Sequence, residues 1–106
     1  MNERFHHRIR QIDEMEHLAE EVLPDKAADD SRYPVRFDHC FKRIAYDAAV
    51  GAQWDTQVQR PFYRHASDEQ IQDAIDALET MRDTPSRVAE LNRQSLEYRT
   101  EVDAST

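Results

Sequence analysis

Residues 37–51 read FDHCFKRIAYDAAVG. The apolar residues of this stretch recur at spacings of three and four, as they do on the buried face of an α-helix: Phe37, Phe41, Ile44, Ala45 and Ala48. Gly51, the chain's only glycine, predicts a left-handed residue that ends this helix. We therefore expect a buried helix over 37–50, against which the rest of the protein packs.

Toward the N terminus, residues 3–22 predict a first amphipathic helix. Its apolar stripe consists of Phe5, Ile9, Ile12, Met15, Ala19 and Val22. Pro24 is expected to end the helix, because an internal proline removes a backbone hydrogen bond and clashes with the preceding turn. The polar stretch that follows, residues 25–34, predicts a connecting loop.

Toward the C terminus, two more helices are predicted, at about 68–82 and 85–99. Ser67 and Gln70 match a capping box in front of a clean stripe formed by Ile71, Ala74, Ile75, Leu78 and Met81. The last helix starts after Thr84 with Pro85, and its stripe is only partly apolar: Val88, Leu91, Ser95 and Tyr98.

These patterns together predict an all-α fold. The chain of 106 residues is the size of one domain, so 1–106 is interpreted as a single helical domain. It comprises four main helices, a short helix or loop at 52–66 and a frayed tail at 101–106. The single glycine, and the absence of Asn-Gly and Asp-Gly pairs, argue against a fold built from strands and tight turns.

Charge divides the chain into three parts. Residues 31–65 hold six Lys and Arg against three acids, a net charge of +3, and seven of the nine aromatic residues. The flanking residues 1–30 and 66–106 carry net charges of −5 and −6, so the overall −8 belongs to the flanks. Clustered Arg, His and aromatic side chains can hold an anionic or planar ligand. A functional site is therefore expected in the basic, aromatic middle.

The lone cysteine, Cys40, cannot form an internal disulfide, which favours a reducing compartment. No apolar stretch has the length of a signal sequence or a membrane span. We therefore expect a cytoplasmic protein without a membrane partner. Cys40 follows His39 directly, but adjacent residues on a helix diverge by about 100°, so a half-buried structural cysteine is favoured over a Cys-His nucleophile.

The candidate ligand-binding residues come from the middle: Arg36, His39, Arg43, Tyr46, Asp47, Trp54, Arg60 and Arg64. In the functional interpretation, Arg43 binds a carboxylate or phosphate, His39 and Tyr46 add hydrogen bonds, and Trp54 offers a stacking face. In the structural interpretation, Arg43 forms an i,i+4 ion pair with Asp47 and His39 is solvated.

Residues 60–65, RPFYRH, interleave basic and aromatic side chains in the manner of a single-stranded nucleic-acid groove. The overall charge of −8 argues against a nucleic-acid partner, because it repels a polyanion at long range. The alternative is that Phe62 and Tyr63 pack on the core while Arg60 and Arg64 pair with the acidic first and last helices.

Metal and cofactor sites are not predicted. Glu-x-x-His occurs at Glu3–His6 and Glu14–His17, the spacing used by di-iron bundles, but both copies lie on one helix, and no His pair at zinc spacing and no further Cys supports them. With one glycine, the chain cannot form the Gly-rich phosphate loops of nucleotide hydrolases.

The leading hypothesis is a small cytoplasmic binding protein whose basic centre meets an anionic small molecule or an acidic protein partner. The alternative is a small enzyme that uses His39 or His65 as acid–base and Arg43 to bind an anionic substrate. It requires a pocket where at least two of these residues converge: His39, Arg43, Tyr46, Asp47, Trp54 and His65. A regulator whose acidic helices mimic phosphate, and a homodimer through the first helix, are further hypotheses.

Overall fold

The computed structural model describes the backbone of residues 3–104 and the side chains of residues 3–100. In this part of the chain all regular structure is helical. The elements are α1 (Glu3–His17), a π-helical turn (Leu18–Val22), α2 (Leu23–Asp29), α3 (Asp38–Val50), a 3-10 turn (Trp54–Thr56), α4 (Phe62–His65), α5 (Asp68–Asp83) and α6 (Ser86–Ala104). The predicted all-α bundle with four main helices is confirmed. Among the described residues, no helix is both long and apolar enough to cross a bilayer.

Helix α3 lies at the centre of the bundle and packs against both α5 and α6. Phe41, Ile44 and Ala45 are fully buried on it, as the periodicity predicts. Gly51 ends the helix with φ of 77°, and its amide donates a 2.8 Å hydrogen bond to the carbonyl of Asp47. The predicted left-handed cap is therefore confirmed.

Helix α5 begins with the predicted capping box. The Ser67 hydroxyl accepts from the Gln70 amide, while the Gln70 side chain accepts from the Ser67 amide. All five residues of its predicted stripe are buried. Helix α6 starts at Ser86, one residue after the predicted position, and its described backbone is helical to Ala104. The helix thus extends beyond its predicted end at residue 99, and residues 101–104 of the predicted frayed tail, 101–106, are helical, while residues 105–106 lie outside the described part.

The prediction that Pro24 ends the first helix is wrong. The chain stays helical to Asp29, so residues 25–29 belong to α2 and the connecting loop begins only at residue 30. The π turn accounts for the continued helix. In this turn the Leu23 amide donates to the Leu18 carbonyl in the wider i→i+5 pattern, and a new α-helical register starts after it. Pro24 occupies the first turn of that register, where a proline needs no amide hydrogen.

Phe37 does not belong to the core stripe, although its spacing predicts it. The side chain is 64% exposed and stacks on His39, with ring centroids 5.8 Å apart. The reason is that Phe37 is the N-cap of α3 and has an extended backbone. Helical periodicity therefore does not describe the direction of its side chain.

The loop before α3 is held by Tyr33, which is 4% exposed. Its ring meets Phe41 edge to face, and its hydroxyl donates a 2.8 Å hydrogen bond to the carbonyl of Met81 near the end of α5. In a continuing helix, that carbonyl would accept from the amide of residue 85. Residue 85 is a proline without an amide hydrogen, so Tyr33 supplies the missing donor.

Replacing Tyr33 by phenylalanine is expected to lower the free energy of unfolding by about 1–3 kcal/mol, because it leaves the Met81 carbonyl buried without a donor. Urea denaturation followed by circular dichroism measures the change. Tyr63 is the matched control, since its side chain is exposed, and Tyr63→Phe should change stability by less than about 0.5 kcal/mol. Equal effects of the two substitutions would contradict the assigned role of Tyr33.

Candidate functional site

A buried carboxylate connects α3 to α6. Asp47 is fully buried, and its two oxygens accept hydrogen bonds from the Trp54 amide at 2.9 Å and the Ser95 hydroxyl at 2.6 Å. Arg99 adds two more, from Nε at 3.0 Å and Nη2 at 3.1 Å. Four donors thus satisfy the Asp47 carboxylate, as a charge removed from water requires.

Arg43 lies one turn before Asp47, but the predicted ion pair between them is wrong. The Arg43 guanidinium donates to the Ser95 hydroxyl and to the Asn92 side-chain oxygen, both at 2.8 Å. Asp47 turns instead toward α6, where Arg99 offers two parallel donors. Ser95 accepts from Arg43 and donates to Asp47, so it links the two. Among the described side chains, Arg43 therefore has neutral oxygens as partners and no carboxylate within ion-pair distance.

These residues border a cleft of about 370 Å³. We call it the cationic cleft and define it by its lining: His39, Lys42, Arg43, Tyr46, Trp54, Arg60 and Arg99. The lining contains four permanent cations and no carboxylate. Lys42 and Arg60 pair with acids beside the cleft, Glu20 at 2.7 Å and Asp55 at 2.6 Å.

The apolar part of the cationic cleft is an aromatic cluster. Tyr46 stacks on Phe62 with centroids 4.0 Å apart, and Trp54 stands perpendicular to both rings, at 5.4 and 5.5 Å. The Arg60 guanidinium lies 5.1 Å from the centroid of Trp54, in cation–π geometry. Mutual packing of large rings restricts their rotamers, so the cleft has a rigid wall.

Two shifted pKa values describe the electrostatics near the cationic cleft. Burial is the main cause that raises the pKa of the Tyr46 hydroxyl, and the carboxylates of Glu16 and Glu20 raise it further. The phenol therefore stays neutral at physiological pH. Burial also acts to raise the pKa of Asp55, but hydrogen bonds from Arg60 and Gln53 outweigh it and leave that pKa below its usual range.

The cations of the cationic cleft are not fully neutralised. Lys42, Arg60 and Arg99 each pair with one carboxylate, those of Glu20, Asp55 and Asp47 respectively. Four cations and three paired carboxylates leave one positive charge, which belongs to Arg43. His39 lies at the rim with its side chain 77% exposed, 3.8 Å from the Asp38 carboxylate. The arrangement can accept one anionic group beside Arg43.

The structure brings together most of the predicted ligand-binding residues. Five of the eight line the cationic cleft, namely His39, Arg43, Tyr46, Trp54 and Arg60, and Asp47 is hydrogen-bonded to one of the lining arginines. Arg36 and Arg64 are exposed outside it, and neither forms an ion pair with a described residue. His65 is exposed on α4 and does not line the cleft. Of the six residues named for the enzyme hypothesis, four line this one cleft: His39, Arg43, Tyr46 and Trp54.

The predicted neutralisation of Arg60 and Arg64 by the acidic flanking helices is wrong. Arg60 pairs with Asp55 of the middle segment, five residues away, because the 3-10 turn brings that carboxylate near. Arg64 has no ion-pair partner in the described part of the chain. Tyr63, expected to cover the core with Phe62, is 45% exposed, while Phe62 is 2% exposed.

Sequence reasoning missed four polar residues of this region: Lys42, Asn92, Ser95 and Arg99. The sequence contains one signal that points to part of this set. Ser95 interrupts the apolar stripe of α6, and a small polar residue at a buried position requires a hydrogen-bond partner. Asn92 and Arg99 lie three positions before it and four after it, on the same helix face. This face reaches the site because α6 packs against α3, and that packing cannot be derived from spacing alone.

Cys40 is a half-buried free thiol. Among the described residues, no group of three or more His, Cys, Asp or Glu side chains is arranged to hold a metal ion. Comparison with models of known protein families, with curated proteins and with solved structures found no match to this chain. The geometry of the cationic cleft is therefore the basis on which a function is proposed below.

Proposed function

We propose that the protein binds a small anionic molecule in the cationic cleft, with Arg43 as the principal contact. The observation that carries this proposal is the hydrogen bonding of Arg43, which uses two neutral oxygens and leaves the guanidinium charge without a direct carboxylate partner. Ser95 and Asn92 hold the guanidinium in place, so a ligand pays little conformational entropy to order it. A carboxylate or phosphate would form charge-assisted hydrogen bonds with it.

The size and walls of the cationic cleft favour a small organic anion over an inorganic ion alone. Its volume of about 370 Å³ falls in the range of about 300–1,000 Å³ that is typical of small-molecule sites. The Tyr46 and Trp54 rings offer apolar contact next to the cations. A planar or apolar body that carries one carboxylate or phosphate group fits this combination. An acidic protein partner would have to insert a single side chain to reach Arg43.

The alternative, a small enzyme, is supported by the position of His39 on the same cleft as Arg43. An imidazole can both donate and accept a proton, so a histidine at the edge of the cleft can exchange protons with a bound substrate. His39 would then act as acid–base while Arg43 holds the anionic group. The two proposals differ in one result, because an enzyme would convert the anion that it binds.

Substitution of Arg43 by glutamine tests the proposal. Calorimetric titration is performed with phosphate, citrate and adenosine monophosphate. We expect at least one of these to bind the wild type saturably, and Arg43→Gln to weaken binding about 10- to 100-fold, the equivalent of about 1.5–3 kcal/mol for hydrogen bonds to a charged group.

The matched control is Arg36→Gln, which removes the same charge from an exposed arginine outside the cationic cleft. It should bind as the wild type does. Thermal melts of both variants without ligand establish that they fold. The proposal would be refuted if none of the three anions bound, or if Arg36→Gln weakened binding as much as Arg43→Gln.

A further inference from the structure

A second concave surface lies between α1 and α4. It encloses about 380 Å³, shares no residue with the cationic cleft, and is lined by Phe5, Arg8, Ile9, Ile12, Tyr63 and Arg64. We call it the α1–α4 groove. Three of the five exposed large hydrophobic side chains in the described part of the chain are here: Phe5, Ile9 and Tyr63, which are 51%, 43% and 45% exposed. Such clustering of exposed apolar residues is typical of an interaction surface.

The groove is exposed because α1 uses a different face to pack on the bundle. Of its predicted stripe, Met15 is buried, whereas Phe5 and Ile9 are exposed. Gln11, also buried, reaches Gln72 of α5 at 3.1 Å and directs α1 onto that helix. Helix α4 spans only four residues and does not cover the remaining apolar face.

Arg8 fixes the two sides of the groove relative to each other. Its guanidinium is paired with the Asp68 carboxylate at the start of α5. It also donates to the carbonyls of Tyr63 at 3.0 Å and Ala66 at 2.8 Å, which tie the α4 segment to α1. The groove is therefore a preformed surface.

The charges along α1 are separated in a way that suits a second copy of the chain. Residues 3–10 contain three arginines and one glutamate, whereas residues 11–22 contain five acids and no Lys or Arg. Two α1 helices in antiparallel contact would bring each basic end against an acidic one. At 100° per residue, Glu16 lies about 20° and Ile9 about 40° from the direction of Phe5, so the half-buried Glu16 lies on the same side of α1.

We propose that two copies of the chain associate through their α1–α4 grooves. A twofold axis between Ile9 and Ile12 places the α1 helices antiparallel, packs Phe5, Ile9 and Tyr63 of the two copies together, and brings Arg64 of each copy toward Glu16 of the other. Such an isologous contact uses the same surface twice and closes on itself. Arg64, which has no ion pair within the described chain, thereby gains one.

The expected dimer is weak. One helix and one further turn on each side form a small contact, and interfaces below about 1,200 Å² are typical of transient association. The net charge of −8 on each copy opposes the approach. At physiological ionic strength, this repulsion is screened beyond about 8 Å. Dimers should therefore form in a concentration-dependent way at physiological salt.

Sedimentation velocity from micromolar to millimolar protein tests the proposal. The wild-type mass should rise from 12.5 kDa toward twice that value. Ile9→Asp should raise the dimer dissociation constant about tenfold or more, because each interface would bury two unpaired carboxylates. The matched control is Leu96→Asp, since Leu96 is 48% exposed on α6 outside the groove, and it should dimerise as the wild type does.

A charge exchange makes the test specific for the proposed orientation. Arg64→Glu should weaken the dimer several-fold, and the double variant Arg64→Glu, Glu16→Arg should restore it, because the pairing is reversed and retained. Circular dichroism and thermal melts confirm that the variants fold. A wild type that is monomeric at millimolar concentration would overturn the proposal. The groove would then be interpreted as a surface for a different protein. Equal disruption by Leu96→Asp, or a double variant without restored association, would also overturn it.

Discussion

Replacing Asp47 by alanine is expected to lower the free energy of unfolding by about 3–5 kcal/mol. The substitution removes the acceptor of the Trp54 amide, the Ser95 hydroxyl and both Arg99 donors. Arg99 then remains without its carboxylate partner. Deleting the buried, fully hydrogen-bonded carboxylate of an ion pair leaves the partly buried Arg99 charge uncompensated, which is why the expected loss exceeds that of a surface pair.

Urea denaturation measures this loss, with Asp73→Ala as the matched control. Asp73 is an exposed acid on α5 without an ion pair among the described residues, so its substitution should change stability by less than about 0.5 kcal/mol. If Asp47→Ala changed stability as little as the control does, the α3–α6 network would not be the anchor of the cationic cleft that the geometry indicates.

Replacing Phe41 by alanine is expected to destabilise the protein by about 3–5 kcal/mol as well. Phe41 is fully buried on α3 and contacts Tyr33 edge to face. Its truncation removes the transfer free energy of the ring and leaves a cavity at the centre of the bundle, which the surrounding helices fill only in part.

Phe37→Ala is the control for Phe41→Ala, since it deletes the same side chain four residues earlier. Because Phe37 is 64% exposed, its substitution should cost less than about 0.5 kcal/mol. Thermal and urea unfolding of both variants provide the comparison. Similar losses for the two variants would mean that Phe37 packs in the core, as its spacing alone predicts and as its exposure contradicts.

The contrast between these two phenylalanines shows where periodicity is informative. Inside a helix, spacing determines which residues share a face, so the stripes of α3 and α5 could be derived from sequence. The capping box at Ser67 and the left-handed Gly51 are local as well, because each depends on residues within one turn. Phe37 lies just before the first helical residue, where helical spacing no longer determines the direction of a side chain.

Pro24 illustrates a different limit of sequence reasoning. Proline normally ends a helix, so the sequence predicts a helix end at Pro24. The π turn over Leu18–Val22 shifts the hydrogen-bond register so that Pro24 starts a new helical segment. Nothing in the local pattern distinguishes this case, because the tertiary contacts of buried Leu23 and Ala27 favour the continued helix.

The candidate site was predictable in part, because most of its predicted residues are close together in sequence. His39, Arg43 and Tyr46 lie on one helix, and Trp54 and Arg60 follow closely, so sequence proximity brought them together. Arg99, Asn92 and Ser95 come from about fifty residues further on and reach the site only because α6 packs on α3. That packing also changed the partner of Asp47 from Arg43 to Arg99, and thereby left Arg43 without a carboxylate.

The most direct test of the anion-binding proposal is a nuclear magnetic resonance titration with adenosine monophosphate and phosphate, which locates binding residue by residue. Trp54 is the only tryptophan, so its indole N–H gives a single signal from within the cationic cleft. We predict saturable shifts of this signal and of the Arg43 and Arg99 side-chain N–H groups, with one common dissociation constant. Shifts confined to Arg36 and Arg64, or non-saturating changes spread over all exposed arginines, would contradict the proposal.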